Sequence, residues 1–197
     1  LRDIDFGIYP YTTSSSTITA YGPVGAGIPN RKVDNAIGVM KAYSTCVGEG
    51  PFTAEMFGEE AEKLRKAGGE YGAATGRPRR VGGFDVVASK YGCMVQGTDE
   101  IALTKLDILD TMEKIPVCVS CDVNGKTVDE FPSGEALNIA KPNVIYLDGW
   151  MQSTASCRSY DELPLNARKY IEYLEKAVEC KIKYVSVGAE RDAIIVR

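Results

Sequence analysis

Alternation of apolar and polar residues opens the chain. Ile4, Phe6 and Ile8 interleave with Asp3, Asp5 and Gly7, which predicts a strand within Leu1 to Tyr11 that Pro10 closes. A hydroxyl-rich loop, Thr12 to Thr19, and a Gly/Pro-rich stretch from Gly22 to Pro29 follow. Asp34 is positioned to cap a helix carrying Ile37, Met40 and Lys41 near one face and ending before Gly48. Gly48-Glu49-Gly50-Pro51 reads as a turn. Glu59 to Ala67 reads as a charged surface helix with Glu62 and Lys66 at i, i+4, stopped by Gly68-Gly69.

Beyond Arg80 the periods are clearer. Val87, Tyr91, Met94 and Val95 recur at helical spacing within Phe84 to Val95. Glu100 to Ile108 and Ile115 to Val123 read as strands, and Asn124-Gly125 is a hairpin turn that returns the chain through Lys126 to Phe131. Val144 to Leu147 is a further short strand. Leu163 to Cys180 is the clearest helix, with Leu163, Ala167, Tyr170, Ile171, Leu174 and Val178 on one stripe. Ile182 to Val187 and Ala193 to Val196 close the chain as strands. The order predicts a mixed α/β fold, a partly parallel sheet with flanking helices.

Composition narrows the function classes. The 197 residues carry 23 Lys+Arg against 27 Asp+Glu, a net charge of −4, so the chain lacks the overall field of a nucleic-acid binder. No apolar run approaches the ~20 residues that span a bilayer, and no signal peptide is expected from the opening residues. Six cysteines in a chain of this kind are expected to be reduced and cytosolic. Cys118-Val-Ser-Cys121 is formally a CxxC. It lies in a strand-like run where i and i+3 face opposite ways, so its sulfurs are not expected to share a site. Histidine, the commonest acid–base residue, is absent. The chain starts without methionine in a strand pattern already under way, and reads as a piece of a longer polypeptide.

Candidate chemistry concentrates in Gly72-Ala-Ala-Thr-Gly-Arg-Pro-Arg-Arg80. Its glycines and proline keep it out of helix and strand. Backbone N–H groups, a threonine hydroxyl and guanidinium forks there suit a carboxylate or a phosphate. A solvated basic turn, a nucleic-acid patch or a targeting signal are the bland alternatives. The net charge favours a small anion. Leu103-Thr-Lys-Leu-Asp107 ends an apolar strand. An aspartate there pairs with the N1–H and exocyclic amine of guanine, donors adenine does not offer together, and the Lys105 stem could lie across the base. The alternative is a Lys–Asp surface pair. Ser186-Val187-Gly188 either lets a flat ring approach or simply ends a strand. Thr12 to Thr17 suits a phosphate or is a flexible polar loop.

In this order the pieces resemble the adenylosuccinate synthetase family. The matching runs are Asp3 to Tyr11, Thr13-Ser-Ser15, Lys41-Ala-Tyr-Ser-Thr45, Val47-Gly-Glu-Gly-Pro-Phe52, Gly72 to Arg80, Leu103 to Asp107 and Ser186 to Gly188. The family's polypeptide is about twice as long, so the resemblance is to its C-terminal half, part of a P-loop-NTPase-like fold. It implies a cytoplasmic, homodimeric ligase forming a C–N bond. IMP and L-aspartate are joined at the expense of GTP, through a 6-phosphoryl-IMP intermediate, to give adenylosuccinate, GDP and phosphate on the way to AMP.

The resemblance also assigns residues. Ala73, Ala74, Thr75, Gly76, Arg77, Pro78 and Arg79 would close on aspartate, and Arg77 would also reach the IMP ribose. Thr13 would hold the IMP phosphate and the Val47 backbone would lie near the ribose. Arg79, Lys105, Leu106, Asp107, Ser186, Val187 and Gly188 would serve GTP. Residues 1–99 would then be an IMP/aspartate segment and 100–197 a guanine segment. Two departures stand out: Ala74 replaces the first of two adjacent threonines, and Ser16 replaces an asparagine. The family's phosphate loop, Mg²⁺ ligands, catalytic aspartate and histidine lie in the half not present here. No catalytic residue is therefore expected in this chain, and the 197 residues alone are expected to be inactive. A non-catalytic guanine-nucleotide or dicarboxylate binding module is the alternative. Neither nucleic acid nor membrane is an expected partner.

Overall fold

A computed structural model describes residues 2–28 and 31–197. Its central feature is a four-stranded sheet built from three parallel strands and one antiparallel one. Strand β1 (Ile37–Lys41) forms an edge beside β5 (Glu100–Thr104), which pairs with β9 (Lys181–Ser186), and β10 (Ile194–Val196) returns antiparallel to β9. Between them in sequence come β2 (Ser44–Cys46), α2 (Gly58–Gly68), β3 (Arg80–Gly82), β4 (Phe84–Asp85) and α3 (Val86–Gln96), while α1 is the short helix Tyr21–Gly25. Strands β2 and β3 pair antiparallel. A second four-stranded sheet is organised by the long β6 (Lys114–Val123), which pairs with β4, β7 (Lys126–Val128) and β8 (Lys141–Asp148). The short α4 (Glu135–Ile139) precedes β8. Helix α5 (Leu165–Val178) covers the core, with Ala167, Tyr170, Ile171, Leu174 and Val178 buried against Ile101, Leu103, Ile182 and Val185. The mixed, partly parallel α/β architecture is therefore the one its patterning predicts.

Much of the local reading also holds. Gly69, left-handed at φ 60, ends α2, and Gly97 ends α3 in the same way. Asn124 and Gly125, both at positive φ, turn β6 into β7. Strand β8 is longer than its apolar centre suggested, and β7 stops at Val128.

Other expectations fail for identifiable reasons. The alternating Ile4, Phe6 and Ile8 do not form a strand: the Asp3 carboxylate is buried and accepts from the N–H groups of Asp5, Phe6 and Thr17 and from Ser16 Oγ. That local capping coils the segment into turns; Leu1 lies outside the described residues, as does Pro29. The stretch after Asp34 is β1, not a helix. Gly38 is buried against Thr98 while Ile37 and Val39 face outward, a period of two that pairing with β5 satisfies. Helix α3 starts later than its pattern, because Phe84 and Asp85 pair with Val117 and Cys118; Asp85 then caps the helix at Ala88 N. The strand from Glu100 stops at Thr104, where Lys105 turns left-handed into a 3₁₀ turn, Leu106–Leu109. Finally, an irregularity between Cys118 and Ser120 breaks the alternation of β6, so that Cys118 and Cys121 are buried in the same small apolar cluster, with the Cys118 thiol donating to Ser120 O at 3.5 Å. All six cysteines are free.

Candidate functional site

The basic loop is built from its two stems. Helix α2 ends in a left-handed glycine, and Glu70 N then donates back to Arg65 O at 2.9 Å. Tyr71 bridges Pro78, and Arg79 N donates to Glu70 O at 2.9 Å. Inside the stems, Gly72 N donates to Arg77 O and Gly76 N to Gly72 O, both at 2.8 Å. Gly76 sits at φ 63, the left-handed region that favours glycine, and a Cβ on Gly72 would press on Thr75 Oγ1 at 2.9 Å. Residues 73–78 stand exposed at its tip.

The three arginines have different roles. Arg80 is structural: it forks onto Glu55 (Nε to Oε1 2.8 Å) and donates to the carbonyls of Gly48 and Gly50, clasping the Val47–Phe52 turn. Arg79 is half-committed, donating from Nη1 to Glu70 at 3.0 Å while its buried Nε finds no acceptor. The Arg77 guanidinium is exposed and bonds to nothing among the described residues. Arg77 and Arg79 therefore remain available to an anion.

Sequence reasoning missed the residue on which this site turns. Glu70 is 0% exposed. Its Oε1 accepts from Tyr43 Oη at 2.6 Å, Lys105 Nζ at 2.9 Å and Lys41 Nζ at 2.9 Å; its Oε2 accepts from Arg79 Nη1 and Lys41 Nζ at 3.0 Å each. Burial alone would raise its pKa, but the hydrogen bonds from Tyr43, Lys105 and Lys41 outweigh it and hold the group at about 2. Lys41 is pushed down by burial against the pull of Glu70. Three cations around one carboxylate leave a local excess of positive charge. A glutamate just past a helix stop is a common surface residue in sequence, which is why no motif exposed it.

The parallel sheet brings the remaining candidates together. Leu103 is paired with Val185, so the ends of β5 and β9 lie side by side, and the 3₁₀ turn packs on β9. Lys105–Asp107 and Ser186–Gly188 thus share one end of the sheet. Lys105 does not lie free: Nζ donates to Gly68 O at 2.6 Å as well as to Glu70. Leu106 and Val187 are buried supports. Asp107 is half-buried, its pKa raised by desolvation, and its carboxylate takes no partner from another described residue. Its neighbour Asp110 is by contrast spent on Trp150 Nε1, Thr154 N and Thr154 Oγ1. Ser186 Oγ donates to Gly188 O at 2.9 Å, closing the turn at the end of β9.

A cleft of about 580 Å³ opens beside β1 and β2, lined by Arg2, Lys41, Val47 and Asp85 among others. Val47 is exposed at its rim. Thr13 is not in its lining; its N–H donates to Arg2 O, and Arg2 in turn reaches Cys46 Sγ and Glu49 O, which ties the hydroxyl loop to this side of the molecule. Among the described residues no group of three or more His, Cys, Asp or Glu side chains could hold a metal ion. No helix there is long and apolar enough to cross a membrane.

Comparison with known proteins covers the whole of this arrangement. A family model described as adenylosuccinate synthetase matches residues 1–195. The chain is 46% identical over 198 residues to the adenylosuccinate synthetase of Thermodesulfovibrio yellowstonii, and 47% identical over 196 residues to that of Clostridium acetobutylicum. These alignments take in 100% and 99% of this chain but 47% and 46% of the relatives, so the chain spans about half their length. A fully ligated adenylosuccinate synthetase from Plasmodium falciparum superimposes with a TM-score of 0.94 at 38% identity, over 100% of this chain and 47% of that one. A cyanophage succinoaminodeoxyadenylate synthetase, at 17% identity and a TM-score of 0.55, shares the fold alone.

Proposed function

The chain belongs to the adenylosuccinate synthetase family, and from that premise we propose that it supplies the aspartate clamp and the guanine pocket of an intact ligase. That ligase joins IMP to L-aspartate with GTP, giving adenylosuccinate, GDP and phosphate. In this reading GTP phosphorylates O6 of IMP, the aspartate amine forms the new C–N bond at C6, and phosphate leaves. The observation that carries it is the shared Glu70 carboxylate, which holds the clamp arginine Arg79 and the nucleotide-side Lys105 together. The exposed tip from Ala73 through Ala74, Thr75, Gly76, Arg77 and Pro78 offers N–H groups, a hydroxyl and a guanidinium to the aspartate carboxylates. Arg77 extends to the IMP ribose, with the Val47 backbone beside it and Thr13 on the IMP phosphate.

On the nucleotide side the free Asp107 carboxylate accepts from guanine while Lys105, Leu106 and the Ser186-Val187-Gly188 turn frame the base; Arg79 serves both ligands. Residues 1–99 thus carry IMP and aspartate recognition and residues 100–197 the guanine site, although the sheets draw strands from both. No catalytic acid or base is assigned to this chain. Mg²⁺, which the family resemblance implies, does not fit any group of side chains among the described residues. The homodimer and the cytoplasmic location rest on the family reading alone. The relatives named above are described as synthetases, which lends the alternative of a non-catalytic binding module no support.

The intact protein tests the reading. Turnover to adenylosuccinate should require IMP, aspartate and GTP together, and the 197-residue piece alone should give none. An intact protein that binds these ligands yet forms no adenylosuccinate would overturn it.

A further inference from the structure

Glu70 is the point where both halves of the site are fastened. Its backbone belongs to the clamp, since its N–H closes α2 and its carbonyl holds Arg79 N. Its side chain points the other way, into the core, where it reaches the end of β5. Five hydrogen bonds converge on the carboxylate, from Lys41, Tyr43, Arg79 and Lys105. A carboxylate offers about four lone-pair sites, so the group is saturated. Saturation has a mechanical consequence. With Oε1 shared by Tyr43 and Lys105 and Oε2 by Arg79, a rotation that improves one bond worsens another.

Lys105 is held from a strained position as well. It is a non-glycine residue at φ 60, and its ammonium is anchored to Gly68 O, one turn before the clamp begins. Arg79 keeps a buried, unpartnered Nε. A ligand that engages the open part of the guanidinium, whose side chain is 34% exposed, fixes it and, through Oε2, the carboxylate plane; that plane sets where Lys105 sits. Resting on the functional reading above, we propose that Glu70 is a positioning residue that couples the two ligand sites. Occupancy of the clamp at Arg79 strengthens nucleotide binding at Lys105, and the reverse holds by linkage.

The test is the dissociation constant of GDP for the full-length protein, measured by calorimetry with IMP throughout, with and without saturating L-aspartate. For the wild type, aspartate should tighten GDP by about 5- to 10-fold, the lower range of coupling between sites. In Glu70→Gln, with folding checked by circular dichroism, the ratio should fall to about one through loss of that same coupling. Should Glu70→Gln not fold, Tyr43→Phe removes only the phenol's hydrogen bond and keeps every charge; its ratio should drop to about half of the wild type's. A wild-type ratio in a folded Glu70→Gln, or in Tyr43→Phe when Glu70→Gln does not fold, overturns the proposal, as does a ratio of one in a wild type that binds both ligands. Failure of the wild type to bind GDP and aspartate at all would instead overturn the functional reading.

Discussion

Arg79 and Lys105, distant in sequence, end on opposite oxygens of one buried carboxylate: Arg79 Nη1 meets Glu70 Oε2 at 3.0 Å and Lys105 Nζ meets Oε1 at 2.9 Å. This joins the basic loop to the parallel sheet, and it makes the site sensitive to acid. Glu70 has a pKa lowered from 4.5 to about 2, so its contribution to stability is fully present above pH 4.5 and disappears as pH falls through 2. Urea midpoints measured from pH 6 to pH 2 should fall through that window in the wild type. In Glu70→Gln, already weaker at neutral pH by about 3–5 kcal/mol, the fall should be visibly shallower. Parallel curves would show that Glu70 is not the titrating group.

Two arginines of the loop should separate into binding and stability. Arg77 is exposed and unpaired among the described residues, whereas Arg80 clasps Glu55 and the carbonyls of Gly48 and Gly50. Arg77→Leu in the intact enzyme should leave the melting curve in place. Its kcat/KM for aspartate should fall by about 10- to 100-fold, the value of a charged hydrogen bond of about 1.5–3 kcal/mol. Arg80→Leu should instead cost about 1–3 kcal/mol of stability by stranding Glu55. A kinetic defect confined to Arg80→Leu would reverse the assignment.

Ala74 is exposed at the clamp tip where the family resemblance supplies a threonine. Adding one hydroxyl toward a carboxylate is worth about 0.5–1.5 kcal/mol, or roughly 2- to 10-fold in affinity. Steady-state kinetics of Ala74→Thr should show the aspartate KM falling by that factor with GTP unaffected. An unchanged KM would mean that the backbone N–H already does this work.

Gly68 tests the packing beneath the carboxylate. A Cβ there would collide with Tyr43 Oη, which now donates to Glu70. Gly68→Ala should destabilise by about 1–3 kcal/mol, and Tyr43→Phe in the same background should recover part of the loss, because the colliding oxygen is gone. Chemical denaturation of the single and double variants gives the answer; strictly additive losses would contradict the contact.

How much of this was legible depends on the range of the interaction. The helices α2 and α5, the Asn124-Gly125 hairpin and the strands β6 and β9 follow from periods and turn residues, which are local. Ile37–Lys41 reads as a helix only until β5 pairs with it, and Ile4–Ile8 as a strand only until Asp3 consumes its N–H groups. The basic loop, Asp107 and the Ser186 turn stand out because their residue types are unusual together. Glu70 does not, since its meaning comes from Lys41, Tyr43 and Lys105 arriving from elsewhere in the chain. The same holds for Asp110, indistinguishable in sequence from Asp107 until Trp150 and Thr154 claim it.

That pair of aspartates gives the most direct measurement of the whole account: the ratio of kcat/KM for GTP to that for ATP, in the intact wild type and in Asp107→Asn. The wild type should prefer GTP strongly. Asp107→Asn loses the acceptor pair for guanine, and its preference should shrink by about 10- to 100-fold, matching a charged hydrogen bond of about 1.5–3 kcal/mol. A preference for GTP undiminished in Asp107→Asn would contradict the assignment of this end of the sheet to guanine.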